Sequence, residues 1–228
     1  MNVLAGLVCF PIAVVQASLF EWAFHRYWLH RPWLPQECFT SHTLVHHQLC
    51  KFHDTFHVHE EEQEEALTFA WWGGPTLVSI NIIPWVLAMW GLSAAGVAPF
   101  NFVVLGSVIA AFVLYYIGYE GLHYLMHKPS IGWIERSRYF KFLERHHRIH
   151  HYRMDKNLNV LVPIGDFLLG SLVLEAPKPA GTPEGARKLA RRHSRYGKSL
   201  REETDGRHHD ATAPHTAAEG ATAPHDQS

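Results

Sequence analysis

Three long stretches of the chain carry no charged residue, and they set the expected architecture. They are residues 3–20, 69–90 and 97–119. A helix needs about 20 apolar residues to cross the hydrocarbon core of a bilayer, so each stretch is a candidate membrane span. The short neutral sequence GLSAAG joins the second stretch to the third, which predicts an antiparallel helical hairpin. Buried helices of a soluble protein are a poor alternative, because uncharged runs of this length are rare in such helices.

The rest of the chain divides into one further apolar segment and a polar tail. Residues 157–174 are apolar but interrupted by Pro163, Gly165 and Asp166, so we expect an interfacial or re-entrant segment. Residues 186–201 are basic and are expected to form a weak helix on anionic lipid. The end of the chain, where ATAPH occurs twice, is of low complexity and is expected to be disordered. The pattern predicts an all-α integral membrane bundle of three to four transmembrane helices in residues 1–175, followed by a cytosolic tail in residues 176–228.

Composition adds an unusual abundance of histidine. The chain has 19 histidines, nearly as many as its 20 lysines and arginines together, and a net charge of −1. A net charge this small gives no indication of nucleic-acid binding. The cysteines Cys9, Cys38 and Cys50 are odd in number and scattered, which argues against a disulfide framework and fits a reducing compartment.

Four short segments concentrate these histidines: HRYWLH (25–30), HTLVHH (42–47), HYLMH (123–127) and HRIHH (147–151). On an α-helix, residues three and four apart share a face. This spacing places His123 beside His127, and it places both His150 and His151 on the face of His147. It also predicts that His42 and His46 share a face.

The same geometry separates other histidines. Adjacent helical residues diverge by about 100°, so His150 and His151 are expected to face two different metals, and His47 points away from His42. His25 and His30 would be about 140° apart on an ideal helix. They should therefore serve different metals, or lie where the helix distorts.

The order of spans and histidine segments predicts where the histidines meet. Two segments precede the hairpin and two follow it, so all four lie on one side of the bilayer. Lysines and arginines near the spans lie on that side as well, which predicts a cytoplasmic face: Arg26, Arg31, Lys51, Lys128, Arg136 and Arg138. Histidines gathered there suggest a dinuclear site, and imidazole suits iron, zinc, copper or nickel.

These four segments, in this order, resemble the fatty acid hydroxylase superfamily, the membrane-bound group that includes sterol desaturases and carotene hydroxylases. The similarity covers about residues 20–175 and extends to YEGLHYLMH and NVLVPIGDFLLGS. The resemblance implies two bound irons held by ten histidines: His25, His30, His42, His46, His47, His123, His127, His147, His150 and His151. It also implies that Tyr119 and Asn159 lie near the metals. His146 either replaces His147 or, as we favour, supports it from beside the site.

The function implied by the resemblance is an O2-dependent lipid hydroxylase that inserts one oxygen atom into a C–H bond of a fatty acyl lipid. Its lipid substrate would come from the bilayer and its electrons from a separate carrier protein and reductase, and zinc could replace iron in isolated protein. A carotenoid or sterol-type hydroxylase or desaturase stays open. A membrane metal transporter is the alternative from another class, although transporters place ligands near the membrane midplane. Residues 69–90 and 97–119 contain no His, Asp or Glu.

The region between the first two spans holds three further histidines and a run of glutamates. We expect His53, His57 and His59 to be surface or supporting groups, because their spacing differs from that of the four segments. The glutamates of EEEQEE (60–65) should form the solvated N-terminus of the next helix, where negative charge is favourable. Metal capture by these glutamates is the alternative.

Overall fold

A computed structural model describes residues 2–52 and 54–175, and within these ranges the chain is helical with no β-strand. The predicted tail, residues 176–228, lies outside the described residues, as does His53. Eight α-helices occur in the described part: α1 Asn2–Phe24, α2 Gln36–Phe39, α3 His47–Leu49, α4 Gly73–Ala94, α5 Phe102–His127, α6 Gly132–Glu135, α7 Arg138–Tyr152 and α8 Ile164–Leu168. Two π-helical turns, His25–Leu29 and Thr40–His46, follow α1 and α2, and a 3-10 helix covers Glu61–Leu67.

Three of the described helices are long and apolar enough to cross a membrane: Val3–Leu29, Gly73–Ala94 and Phe102–His127. The prediction of three helices suited to crossing a membrane is confirmed, with shifted bounds, and no fourth such helix occurs in the described residues. The first span continues past residue 20 into its π-helical turn. The third begins only at Phe102, where the Asn101 side chain accepts hydrogen bonds from the Val103 and Val104 amides and caps the helix.

Residues 157–174 do not form a span. Their one helix, α8, has five residues, which is too short to cross a bilayer. The absence of a clean span agrees with the structure, and the interfacial or re-entrant position stays a prediction. The interrupting residue Asp166 is itself buried within this segment.

The three spans pack with α1 and α5 running in the same direction. At one end of this pair Ser107 donates a hydrogen bond to the Gly6 carbonyl at 2.7 Å, and further along Tyr115 donates one to Glu21 at 2.5 Å. Helix α4 runs the opposite way and is linked to α1 through Gln16, which accepts a hydrogen bond from the indole of Trp85 at 2.7 Å. The spans thus satisfy their polar groups against one another, as a membrane interior requires.

The remaining elements cover the end of the bundle where α1 and α5 finish. Helix α7 begins at the N-cap Ser137, whose hydroxyl accepts a hydrogen bond from the Phe140 amide. One face of this helix is buried, and it carries Phe140, Leu143, His146, His147, His150 and His151. The buried histidines of α7 therefore face the ends of the spans.

The prediction for the acidic run is wrong in its placement. The glutamates form a 3-10 helix of their own that ends at Leu67, before α4 begins at Gly73. Glu64 accepts a hydrogen bond from the Tyr124 hydroxyl at 2.6 Å and pairs with Lys128 at the end of α5. Through Glu64, the acidic run is bonded to the end of α5. It does not form the N-terminus of α4.

Candidate metal centre

Nine of the ten predicted ligand residues form two compact groups of ring nitrogens. In each group one nitrogen per residue lies within 4.8 Å of all the others, and these nitrogens could hold a metal ion. We call them group one, made of His25, His30, His42, His47 and His150, and group two, made of His46, His123, His127 and His147. The tenth residue, His151, places its Nε2 atom 3.1 Å from the Nε2 atom of His147, at the edge of group two.

Two chain segments each supply histidines to both groups. His46 belongs to group two and its neighbour His47 to group one, with ring centroids 5.5 Å apart. On α7, His147 belongs to group two and His150 to group one. The predicted divergence of neighbouring histidines toward two sites agrees with this arrangement, because consecutive side chains leave a helix in different directions.

The π-helical turns change the expected pairing. His25 and His30 lie five residues apart and both belong to group one, because the helix is wider at His25–Leu29. Distortion of the helix, one of the two predicted alternatives, is therefore confirmed. His42 and His46, predicted to share a face, stack with ring centroids 5.2 Å apart but belong to different groups. His42 shares group one with His47, whose amide donates to the His42 carbonyl across a π-type turn.

Backbone carbonyls determine which ring nitrogen of four histidines faces inward. The Nδ1 atoms donate hydrogen bonds as follows: His25 to the Leu158 carbonyl at 2.5 Å, His150 to Lys156 at 2.8 Å, His123 to Leu67 at 2.9 Å, and His127 to Phe56 at 2.7 Å. A carbonyl only accepts, so this hydrogen-bond network assigns the proton to Nδ1. Each Nε2 atom is then a free lone pair, as a metal ligand requires.

The inward nitrogens crowd together. Nε2 atoms approach one another at 2.8 Å between His25 and His42 and at 2.9 Å between His127 and His147. The Nε2 atoms of His46 and His123 are buried and have no hydrogen-bond partner at all. Buried polar atoms are rarely left unpaired, so these nitrogens fit a cation that accepts imidazole ligands.

Burial keeps these imidazoles neutral. Removal from water, reinforced by the neighbouring histidines, lowers the pKa of His30 to about 2, and burial lowers that of His150 to about 4. The same causes hold the pKa well below its usual range in His42, His46, His47, His147 and His151. Neutral rings at pH 7 leave their lone pairs free for a metal.

The residues predicted to lie beside the metals have different surroundings. His146 belongs to neither group, because its Nε2 atom bonds the buried carboxylate of Asp166 at 3.0 Å. Tyr119 stacks on the ring of His123, with centroids 5.9 Å apart. Asn159 hydrogen-bonds none of the ten histidines, and its amide instead donates to the Ser18 carbonyl and to Glu21.

The remaining histidines of the described chain lie away from the groups. His57 is half-buried and accepts a hydrogen bond from Arg148 at 2.9 Å, while His59 is exposed. This agrees with the expectation for these two residues, and His53 lies outside the described residues. None of the glutamates 60–65 belongs to a described metal-binding group, so metal capture by them has no support.

Sequence reasoning missed the residues that hold the histidines in place. Thr43 accepts a hydrogen bond from the Nδ1 atom of His30 at 3.1 Å and donates its own proton to the Leu29 carbonyl at 2.6 Å. Asp166 was noted only as an interruption of an apolar segment. A carboxylate inside such a segment is itself a signal, because a buried charge requires partners.

An apolar cavity of about 60 Å³, partly open to the outside, lies between α1, α4 and α5, directly against group one. His25 forms part of its wall, together with Ala17, Phe20, Glu21, Phe24, Leu29, Phe69, Leu77, Val78, Asn81, Phe112, Tyr115, Tyr116 and Tyr119. A group-one histidine thus borders a partly open space between the spans. Such a cavity suits an apolar molecule that comes from the bilayer.

The structure thus brings ten predicted histidines together and places an apolar cavity beside them. Either feature by itself is compatible with several chemistries, since imidazole accepts several transition metals. The two features lie in contact through His25. No protein-family model, curated protein or solved structure matches this chain, so its resemblance to the fatty acid hydroxylase superfamily stays a prediction from the histidine segments.

Proposed function

We propose that this chain is a membrane-bound di-iron, O2-dependent lipid hydroxylase that acts on fatty acyl chains. The observation that carries the proposal is that His25 belongs both to group one and to the wall of the apolar cavity. A hydrocarbon chain in this cavity would lie against the nitrogen cluster. An oxidising metal centre and an unactivated C–H bond would then be neighbours, as hydroxylation requires.

The donor set supports two metal ions. Group one provides five imidazoles, and group two provides four with His151 beside them. We assign iron because the reaction uses O2 and because the histidine segments resemble a di-iron superfamily. Zinc, which also binds imidazole, is the expected substitute in protein isolated without added iron.

The chain's own residues orient the substrate and exclude water. Phe20, Phe24, Phe69 and Phe112 surround the cavity with rings that pack against a methylene chain. When bound, the iron pair supplies the activation of O2, and in the overall reaction the substrate C–H bond becomes C–OH while two electrons and two protons reduce the other oxygen atom to water. The apolar walls keep bulk water from the reacting atoms.

The electrons come from a separate carrier protein and its reductase, and we place the histidine face on the cytoplasmic side. The basic residues beside the spans support this orientation, because Arg26, Arg31 and Lys128 are on the histidine side and residues 91–101 contain no lysine or arginine. A cytoplasmic face would give soluble carriers access to the centre. Transport is not proposed, because the grouped histidines stand at span ends and not near the midplane.

A comparison of lipid extracts tests the proposal. Cells expressing the chain with an electron-carrier system are given isotopically labelled O2, and their lipids are compared by mass spectrometry with those of cells expressing His147→Ala. The matched control is His59→Ala, which removes an exposed histidine. We expect fatty acyl lipids that are one labelled oxygen atom heavier with the unaltered chain and the control only.

Other products would change the proposal in defined ways. Oxygen in a carotenoid or sterol fraction would keep hydroxylation and replace the substrate class. Loss of two hydrogen atoms without oxygen would replace hydroxylation by desaturation. If the iron-loaded chain altered no lipid in such cells, the proposed function would be wrong.

A further inference from the structure

The two nitrogen groups are held from outside by two different segments that lie outside the α-helices. Carbonyls of Lys156 and Leu158 accept the Nδ1 protons of His150 and His25 in group one. Group two instead uses carbonyls of Phe56 and Leu67, more than 80 residues earlier in the chain by their numbers. No outer carbonyl among these four serves both groups. The orientation of each group therefore depends on its own segment. We call these the outer segment 156–160 for group one and the outer segment 56–67 for group two.

Two carboxylates hold the outer segment of group one, Glu21 at the Val160 amide and Asp166 at the two residues before it. Asp166 accepts hydrogen bonds from the backbone amides of Leu158 and Asn159, each at 2.8 Å, one on each carboxylate oxygen. Ser171 and His146 donate to the same two oxygens at 2.6 and 3.0 Å. Asp166 is fully buried, so these four donors are the partners that its charge requires.

The path from this carboxylate to the metal-binding nitrogens is short. The Leu158 amide bonds Asp166, and the carbonyl of the same residue bonds His25. Asn157, just before it, has a φ of 52°, in the left-handed region, and its side chain bonds the His146 carbonyl and the backbone of Val173. This backbone geometry directs the Lys156 and Leu158 carbonyls to two histidines of the same group.

We propose that Asp166 is a positioning residue for group one, which orients His25 and His150 for metal binding by fixing the outer segment 156–160. The inference rests on the proposed function in one respect, that the groups bind metal. Group two takes its outer carbonyls from the segment 56–67, so we expect Asp166 to act on group one, although it also bonds His146, the neighbour of His147. In that segment Glu64 provides the attachment, through Tyr124 and Lys128.

The substitution Asp166→Asn tests this independence. It keeps the size of the side chain but turns one acceptor oxygen into an NH2 group, which then faces a donor. The matched control is Asp155→Asn, which makes the same charge change on an exposed residue next to the outer segment. The full chain is purified in detergent, loaded with Co2+, and its bound metal is measured during a chelator titration. Thermal unfolding and size-exclusion chromatography monitor the fold.

We expect Asp166→Asn to weaken one of two Co2+ sites by at least about 10-fold, the usual effect of removing the support of a ligand, and to leave the other unchanged. Double variants identify which of the two sites is weakened. Adding His150→Ala to Asp166→Asn should remove the weakened site and leave the tight one, whereas adding His123→Ala should remove the tight site and leave the weakened one. Asp155→Asn should bind as the unaltered chain does.

Three results would overturn the inference. Unchanged affinity at both sites in folded Asp166→Asn protein would show that the carboxylate does not position the group. Equal weakening of both sites would show a general structural role. If the unaltered chain bound no Co2+, the positioning role and the proposed function would both fail, whereas metal binding without lipid oxidation would leave the positioning role standing.

If Asp166→Asn protein does not fold, a milder variant provides the test. Ser171→Ala removes one of the four donors to Asp166 and leaves the carboxylate in place. We expect a smaller affinity loss confined to the same site. Retention of full affinity at that site by Ser171→Ala, when Asp166→Asn does not fold, would count against the positioning role.

Discussion

The Nε2 atoms of His30 and His150 face each other at 3.1 Å, and neither has a proton to donate. His150 donates its Nδ1 proton to the Lys156 carbonyl, and His30 donates its own to Thr43, whose hydroxyl proton is already given to Leu29. Two lone pairs at this distance repel unless a cation lies near both. A proton is a poor candidate at neutral pH, because burial lowers the pKa of both rings. A metal ion removes the repulsion.

Replacing His150 by alanine should empty one of two metal sites. His150 is the α7 ligand of group one and bonds the outer carbonyl of Lys156, so its loss removes both a donor and a support. We expect iron to fall from about two ions per chain to about one, with loss of lipid oxidation, because each group can hold one ion. Metal analysis of purified protein measures this, with His59→Ala as control. Full iron content and turnover in His150→Ala protein would contradict the assignment of this residue.

Thr43→Val should weaken group one without removing a ligand. Valine has nearly the same shape but cannot accept the Nδ1 proton of His30, so the ring loses the bond that holds its orientation. We expect metal affinity at one site to fall by about 10-fold. Competition with a chelator measures this affinity.

The matched control for Thr43 is Thr76→Val, because the exposed Thr76 hydroxyl bonds only the Trp72 carbonyl within α4. This control should retain the affinity of the unaltered chain. Equal affinities for Thr43→Val and Thr76→Val protein would show that the Thr43 hydroxyl does not orient His30.

Narrowing the cavity should impair lipid oxidation and leave metal binding intact. Leu77 lies in the cavity wall on α4, and tryptophan at this position would displace part of a bound acyl chain. A few lost methylene contacts are worth about 1–3 kcal/mol, so we expect kcat/KM for long-chain lipid to fall by about tenfold.

Ile80→Trp provides the comparison for Leu77→Trp. Ile80 lies on the same helix but is 45% exposed, on the outside of the spans. Tryptophan at position 80 adds the same ring outside the cavity. This variant should therefore leave both kcat/KM and metal content unchanged. If the two variants oxidise lipid equally well, the cavity is not the substrate site.

Acid should release the metal and destabilise the folded chain. The pKa of His150 is about 4 in the fold against 6.5 as its usual value, so the unfolded chain binds more protons between these limits. The free energy of unfolding is highest above pH 6.5, where His150 is neutral in both states. It falls as the pH drops toward 4, by on the order of 3 kcal/mol for this residue. Thermal unfolding and metal content measured from pH 7.5 to 4.5 should fall together. Constant values across this range would contradict neutral, buried imidazoles.

The number of spans, their approximate positions and the meeting of four histidine segments follow from sequence alone. Long uncharged stretches identify spans because hydrophobic transfer depends on composition summed over about 20 residues. Two spans between the second and third segments return the chain to the same face, whatever the details of packing. The α-helical spacing also predicted correctly that His123 pairs with His127 and that His150 and His151 diverge, since His150 belongs to group one and His151 lies beside His147 of group two.

Only the tertiary structure decided which nitrogen joins which group. The wide π-helical turns bring His30 to His25 and His47 to His42, and ideal helical spacing does not predict them because they depend on packing around the ends of the spans. The proton positions depend on carbonyls of Phe56, Leu67, Lys156 and Leu158, which are far from most of their histidines in sequence. Backbone carbonyls are the same in every residue, so no sequence pattern marks them. Residue types determined that a nitrogen-rich site exists, and long-range hydrogen bonds determined its geometry.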